Sequence, residues 1–374
     1  MADAFSYTFP AIRGVQAGRE FYVSMCPLRL LHKLFIFDDE ELVPELRAQR
    51  TLNKARVPEI ARYIVDNRDS YIFSAITVSV DGELKFEPVS GDAAASYRMG
   101  SLTVSMTSRF VVNDGQHRRE AIVQALEKAP ELGNETIAVV FFMDRGLERC
   151  QQMFADLNRH AVKPSASLGV LYDHRSATAN VARHLSLTSK VFKGLIESER
   201  SSLSPRSRSL FTLSALHFAT IELLVEDDLE DFHRASEKCL EFWELVGEQI
   251  PEWSYVRESK MTSGDVRRDF IHSHAIVLQA LGRTGRSLFQ LSSAERVRRV
   301  RRLRQVDWSR NNALTWEGRA MVGGSMAKSG QNITLTCNEI KRVLGLALTP
   351  EESTAEDAWA AARAPKRANA KRKT

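Results

Sequence analysis

Apolar residues recur along this chain with two periods, and the change from one to the other near Pro164 marks its main internal boundary. Before it, short extended stretches alternate with short amphipathic ones. Residues 21–25 (Phe-Tyr-Val-Ser-Met) have strand character, 28–37 are ambiguous, and 38–49 are helical, with acidic residues early and Arg47 late, as the helix dipole favours. In 56–66, Val57, Ile60, Ala61 and Ile64 share one face at steps of three and four, which predicts a helix. Residues 72–80 are rich in β-branched and aromatic side chains, end at Asp81-Gly82 and are followed by Leu84–Phe86, a pattern that predicts a hairpin. Extended character continues through 101–108 and 109–112 until Gly115 breaks it. A helix is predicted over 117–128, with Ala121, Ile122, Ala125 and Leu126 on one side, then a strand at 136–143 and a helix at 147–157. This alternation predicts an α/β domain with a central sheet over 1–164. Longer amphipathic segments follow at 166–185, 212–224, 232–249, 266–281 and 295–303, so 165–350 reads as a mainly helical domain. The fold class is therefore α+β. Residues 201–209 read as an exposed Ser/Arg loop, and 351–374 as a basic, unstructured tail. No internal repeat is visible.

Composition narrows the class of protein. The chain of 374 residues is 43% hydrophobic and 26% charged, as ordinary globular proteins are. No apolar run has the length of a membrane span, and Met1–Thr8 lacks the pattern of a secretory signal, which points to a cytoplasmic protein. The cysteines, Cys26, Cys150, Cys239 and Cys337, are scattered, so neither a disulfide framework nor a zinc or iron–sulfur site is expected. The net charge is +5, but Arg363, Lys366, Arg367, Lys371, Arg372 and Lys373 crowd into the last twelve residues, and without them it falls to −1. Such a tail suits polyanion binding by counterion release, or serves only as a solubilising end.

The most informative segment is Arg109-Phe-Val-Val-Asn-Asp-Gly-Gln-His-Arg-Arg-Glu120. An apolar strand ends, Gly115 permits a sharp turn, and a helix begins. N–H groups at a helix start lack intrahelical acceptors and, with the dipole, favour anions. Arg118 and Arg119 add fixed charge, and His117 and Gln116 a titratable group and an amide. Asp114 is an N-cap, a metal holder or the residue that orients a water; His117 shares that last role.

Asp114-Gly115-Gln116-His117-Arg118 matches the signature of the DGQHR-domain proteins, and the chain resembles the DndB-type family of DNA sulfur (phosphorothioate) modification proteins. The surroundings agree in order: 51–64 resembles the family's upstream helix, 71–78 its following strand, 154–164 its next block, and 267–274 with 278–282 later blocks. The resemblance implies a ParB/sulfiredoxin-like first domain. It places Gly115, Gln116 and Arg118 at a turn that contacts a nucleoside triphosphate, with Asn158 and Arg159 at a later box; Gln116 and His117 stand where ParB-like proteins carry Glu and Arg. No cysteine lies near Asp114, which argues against a sulfiredoxin-type repair activity.

The run Arg296, Arg298, Arg299, Arg301, Arg302 and Arg304 steps around Val297, Val300 and Leu303, so one helix face is expected to be densely positive and to track a phosphate backbone, unless acidic neighbours neutralise it. Arg206 and Arg208 are weaker phosphate contacts. Gly323–Gly330 lacks the two glycines of a P-loop and reads as a flexible loop. His272-x-His274 and the tryptophans 243, 253, 308 and 316 read as packing residues rather than sites. Three functions remain. The resemblance implies a regulator that binds double-stranded DNA and controls the modification operon and the modification level. The alternative is a nucleotide-binding or -hydrolysing component, with a triphosphate and Mg2+ on Asp114–Arg118 and with Asn53, Arg56, Asn158 and Arg159 near. The third is an adaptor that docks other sulfur-modification proteins or a second copy of itself.

Overall fold

The computed structural model describes residues 6–35, 56–82, 84–90, 96–105, 108–143, 152, 153, 157, 164–327 and 329–363. The chain divides into two compact units, Met1–Val162 and Lys163–Thr374. In the first, β1 (Ser6–Gln16) and β2 (Arg19–Pro27) form a tight hairpin, followed by the one-turn α1 (Leu31–Leu34) and by α2 (Arg56–Asp66). Then come β3 (Ile76–Asp81), β4 (Leu84–Pro88), β5 (Met99–Ser105), β6 (Arg109–Asp114), α3 (Gln116–Lys128) and β7 (Thr136–Met143). The sheet order is β4-β5-β1-β2-β7-β3-β6, with β3 and β7 parallel and every other pair antiparallel.

The hairpin expected between β3 and β4 is not there. β3 pairs with β6 and β7, and β4 pairs with β5. Only two residues separate β3 from β4 and three separate β5 from β6, yet each pair spans the sheet order. The strands β3–β4 and β6–β5 are thus the two arms of one long hairpin with a corner, and the sheet curls until its ends meet there. Gly82 sits at that corner against Ser108, where an added Cβ would lie 2.2 Å from Ser108 Oγ. The Asp-Gly dipeptide marks a bend that needs a residue without a side chain, not a chain reversal.

Alternation along the strands turns Leu102, Val104, Ile76, Val78, Val80, Ile137, Val139 and Phe141 inward. They form one core with Val57, Ala61 and Ile64 of α2 and Ala121, Ile122 and Ala125 of α3. Each large apolar side chain so buried stabilises the unit by roughly 1.5–3 kcal/mol. The residues expected to form helices at 38–49 and 147–157 lie wholly or mostly outside the described ones.

The second unit is helical: α4 (Ala166–Tyr172), α5 (Ala177–Thr188), α6 (Leu213–Leu223), α7 (Phe232–Gly247), α8 (Pro251–Arg257), α9 (Ser263–Asp269), α10 (Ala275–Leu288), α11 (Ser293–Val300), α12 (Ala313–Trp316), α13 (Gly330–Leu344) and α14 (Pro350–Arg363). Two small pairings join them, β8 (Ile196–Glu197) with β9 (Phe211–Thr212) and β10 (Met321–Val322) with β11 (Ser325–Met326). Two segments expected to be single helices are broken. The first breaks where Asp173 accepts the N–H groups of Arg175 and Ser176 and Ser176 caps α5. The second breaks because Phe270 and Ile271 pair with Trp308–Ser309 as extended chain.

α6 and α10 pack closely because Gly282 faces the Ala219 carbonyl, where a Cβ would come within 2.3 Å. Trp243, Trp253 and Trp316 are fully buried and Trp308 nearly so. The Gly323-Gly324 segment is no flexible loop but a tight turn with both glycines at positive φ, its two N–H groups donating to Glu317. Residues 350–363, expected to be unstructured, are helical and held by ion pairs to Arg319 and Lys341. Lys366, Arg367, Lys371, Arg372 and Lys373 lie outside the described residues. None of the described helices is long and apolar enough to cross a membrane.

Candidate functional site

The glycine turn is built by an irregularity in the sheet. The β3–β6 register shifts between Thr77 and Val78, so Asn113 is an extra residue between the pairs Val78↔Val112 and Thr77↔Asp114. Asn113 is fully buried, and its amide donates to Ser79 Oγ at 2.6 Å beside Met153. That fixes the strand end from which the chain turns. Gly115 follows with φ +101° and N-caps α3. A side chain there would be strained, and its Cβ would lie 3.1 Å from Ile76 and from the Arg118 guanidinium. Asp114 is therefore not the N-cap.

The first intrahelical bond runs from Arg119 N–H to Gly115 O at 2.9 Å. The N–H groups of Gln116, His117 and Arg118 thus have no acceptor within the helix and project from its positive end. Two signature side chains turn back into the protein. The Gln116 amide donates to Val112 O at 3.0 Å. Arg118 donates to Ser74 Oγ (2.6 Å), Ala75 O (3.1 Å) and the Asp114 carboxylate (2.7 Å). Arg118 therefore ties the turn to the chain entering β3, with its guanidinium engaged inside the protein. The acceptors at 74–75 lie more than forty residues away in sequence, so the pattern around Gly115 could not show them. Arg119 is mostly buried and pairs with Glu120 at 3.0 Å.

His117 stays half-buried at the mouth of the turn. Its pKa is lowered, first by burial and then by the positive charge of Arg56, so its neutral form is favoured. Arg56, exposed at the start of α2, is thus brought close to the start of α3. The structure gathers Asp114, Gly115, Gln116, His117, Arg118 and Arg56. Asn53, Asn158 and Arg159 lie outside the described residues. What the turn presents is electropositive: the positive end of the α3 dipole and Arg56, beside an imidazole that resists protonation.

The arginine run takes a different register from the one expected. The buried face is Arg296, Val300 and Leu303, at steps of four and three, and Val297 is only half-buried. Arg296 is 8% exposed, donates to Glu241 at 2.7 and 3.0 Å and lies over the Phe289 ring at 4.3 Å. It is a packing residue and faces no solvent. Arg298 is exposed but paired with Glu295 (2.6 Å), and Arg299 joins Glu295 and the Gly345 carbonyl. Arg301, Arg302 and Arg304 are exposed; Arg304 donates to the Glu248 carbonyl at 3.2 Å, and the Arg301 side chain makes no hydrogen bond or ion pair among the described residues. The neutralising carboxylates are Glu241 and Glu295.

Arg206 and Arg208 are exposed on a loop whose carbonyls are clamped by Arg267. His272 is buried, accepting from Trp253 Nε1 at 3.0 Å and facing Glu252 at 3.5 Å, while His274 bonds the Arg267 carbonyl. Burial pushes the His274 pKa down to about 4 and those of the Cys26 and Cys239 thiols up to about 12.

The family described as DndB, DNA-sulfur modification-associated, matches residues 9–347. That span takes in the sheet, the glycine turn and the helices through α13. The chain belongs to the DndB family. No curated protein and no solved structure matches it.

Proposed function

We propose that this member of a DNA-sulfur modification family is a DNA-binding regulator, acting on the modification operon and on the level of modification through phosphate-backbone contacts of its helical unit. The observation that carries this reading is the cluster of exposed arginines at Arg301, Arg302 and Arg304, none of which pairs with a carboxylate among the described residues. Arg298 and the basic residues beyond Arg363 would add to it, and Arg206 and Arg208 make a second, smaller group. Arginines of this kind bind backbone phosphates by releasing counterions, so affinity falls with salt in proportion to the phosphates contacted. The test is a mobility shift of promoter DNA across a salt series. Steep salt dependence is expected; weak binding that salt does not change would remove the proposal.

A second reading rests on a separate observation in the first unit: the positive end of α3 at the glycine turn, with Arg56 and a neutral His117 beside it. That surface suits a phosphate group, and the ParB-like resemblance supplies a nucleoside triphosphate with Mg2+ as its ligand. Arg118 would act there as a positioning residue. Asp114→Ala and Arg118→Ala are expected to weaken triphosphate binding or turnover. Wild-type protein that binds no triphosphate in the presence of Mg2+ would end this reading and leave the first intact.

A further inference from the structure

The family match stops at residue 347, and α14 begins three residues later. Its docking is unusual for a terminal helix. Its one buried residue is Glu352, a carboxylate. Lys341 Nζ donates to both Glu352 oxygens, at 2.7 and 2.8 Å, and Arg319 makes a two-pronged contact with Glu356, one prong at 2.9 Å. The Asn338 amide bridges the two acidic residues, reaching Glu352 O at 2.8 Å and Glu356 Oε2 at 3.3 Å. The Trp359 ring lies 4.0 Å from the Arg319 guanidinium carbon and 4.8 Å from that of Arg363. The contacts form one chain from Arg319 through Glu356, Asn338 and Glu352 to Lys341.

Both cations of the core are about 2% exposed beneath this helix. Lys341 takes its charge partner from α14 alone among the described residues; Arg319 has Glu356 and, at 3.6 Å, Glu339. The interface is also incompletely satisfied: Arg319 Nε, Asn338 Oδ1 and Trp359 Nε1 are buried without partners. A helix that docks through ion pairs, with polar atoms left over, gains far less from docking than one that buries an apolar stripe. Residues 350–363 carry four acidic side chains and one basic. Further positive charge lies beside the surface they cover: Arg302 lies against Gly345 just beyond α13, while Arg342 in its last turn is paired with Glu339.

We propose that α14 is an acidic strap laid in cis over a cationic seat of the family core, and that the phosphodiester backbone of double-stranded DNA displaces it. The carboxylates of Glu352 and Glu356 hold the positions phosphates would take on Lys341 and Arg319. Release of the strap adds these two cations to the outward arginines of the same unit. The inference rests on the DNA-binding reading above. The strap lowers apparent affinity by the fraction of molecules in which it is closed.

Two measurements on the full-length chain test it. Hydrogen exchange of wild-type protein with and without a double-stranded oligonucleotide is expected to show faster exchange in 350–363 when DNA is bound. The double variant Glu352→Gln/Glu356→Gln is expected to bind the same oligonucleotide roughly threefold to tenfold more tightly at low salt. DNA binding with exchange in 350–363 unchanged or slowed would overturn the strap whatever the variant's stability, and a folded variant with unchanged affinity would do the same. Absence of DNA binding by wild type would overturn the DNA reading itself, a separate result.

Discussion

At the glycine turn, Arg118 folds back onto a hydroxyl, a carbonyl and Asp114, whereas in the arginine run Arg301 and Arg302 are exposed and Arg304, also exposed, keeps only a carbonyl contact with Glu248. Both regions concentrate guanidinium groups in sequence. The difference lies in the acceptors at hand. The turn sits at a strand end beside the chain entering β3, which offers an oxygen at each prong. In the arginine run Glu241 takes Arg296 and Glu295 takes Arg298 and Arg299, and among the described residues no carboxylate pairs with the next turn. Arginine density becomes available positive charge only where local geometry leaves it unclaimed.

Two histidines show the same contrast between the units, and acid separates them most strongly. His274 of the helical unit has its pKa pushed down to about 4, mainly by burial. Between pH 6.5 and 4 the unfolded chain binds a proton that the folded chain refuses, so stability falls with pH through that window, by about 3 kcal/mol when complete. His117 shifts in the same direction but is half-buried, so its contribution is expected to be smaller. Unfolding midpoints of wild type and His274→Gln at pH 7 and 4.5 check this. A variant that loses as much stability on acidification as wild type would place the acid sensitivity elsewhere.

Gly115→Val comes next. Its φ of +101° and the nearby Ile76 side chain are expected to cost about 2–3 kcal/mol. Urea unfolding with hydrogen exchange of β3 and β6 measures it, and an unmoved midpoint would show that the turn is not strained by a side chain. Arg296→Ala is expected to cost about 2 kcal/mol, because it leaves Glu241 and the Phe289 ring without their partner. It should leave the salt dependence of DNA binding unchanged. A change in that dependence with no loss of stability would reverse the assignment of Arg296.

Much of the fold was legible where local pattern decides it. The spacing of Val57, Ala61 and Ile64 gave α2, and the strand–Gly115–helix punctuation gave the turn. Partners distant in sequence were not legible. Asp81-Gly82 has the composition of a reversal, and only the pairing of β3 with β6 and β7 makes it a corner. Three-residue steps from Val297 suggested a face that a helix of 3.6 residues per turn cannot keep; the four-then-three step from Arg296 was the better signal. Glu352 and Glu356 fall in an end that reads as an unstructured tail because Lys341 and Arg319, which hold them, are outside its local pattern.

The smallest effect on stability tests the central claim most directly. Arg301→Ala/Arg302→Ala is expected to alter folding stability by less than about 0.5 kcal/mol per site. Fluorescence anisotropy of a labelled duplex, titrated across a salt series, then compares it with wild type. The slope of log K against log salt should become shallower by about 1.8, as loss of two phosphate contacts requires. An unchanged slope would show that these outward arginines do not touch the DNA backbone.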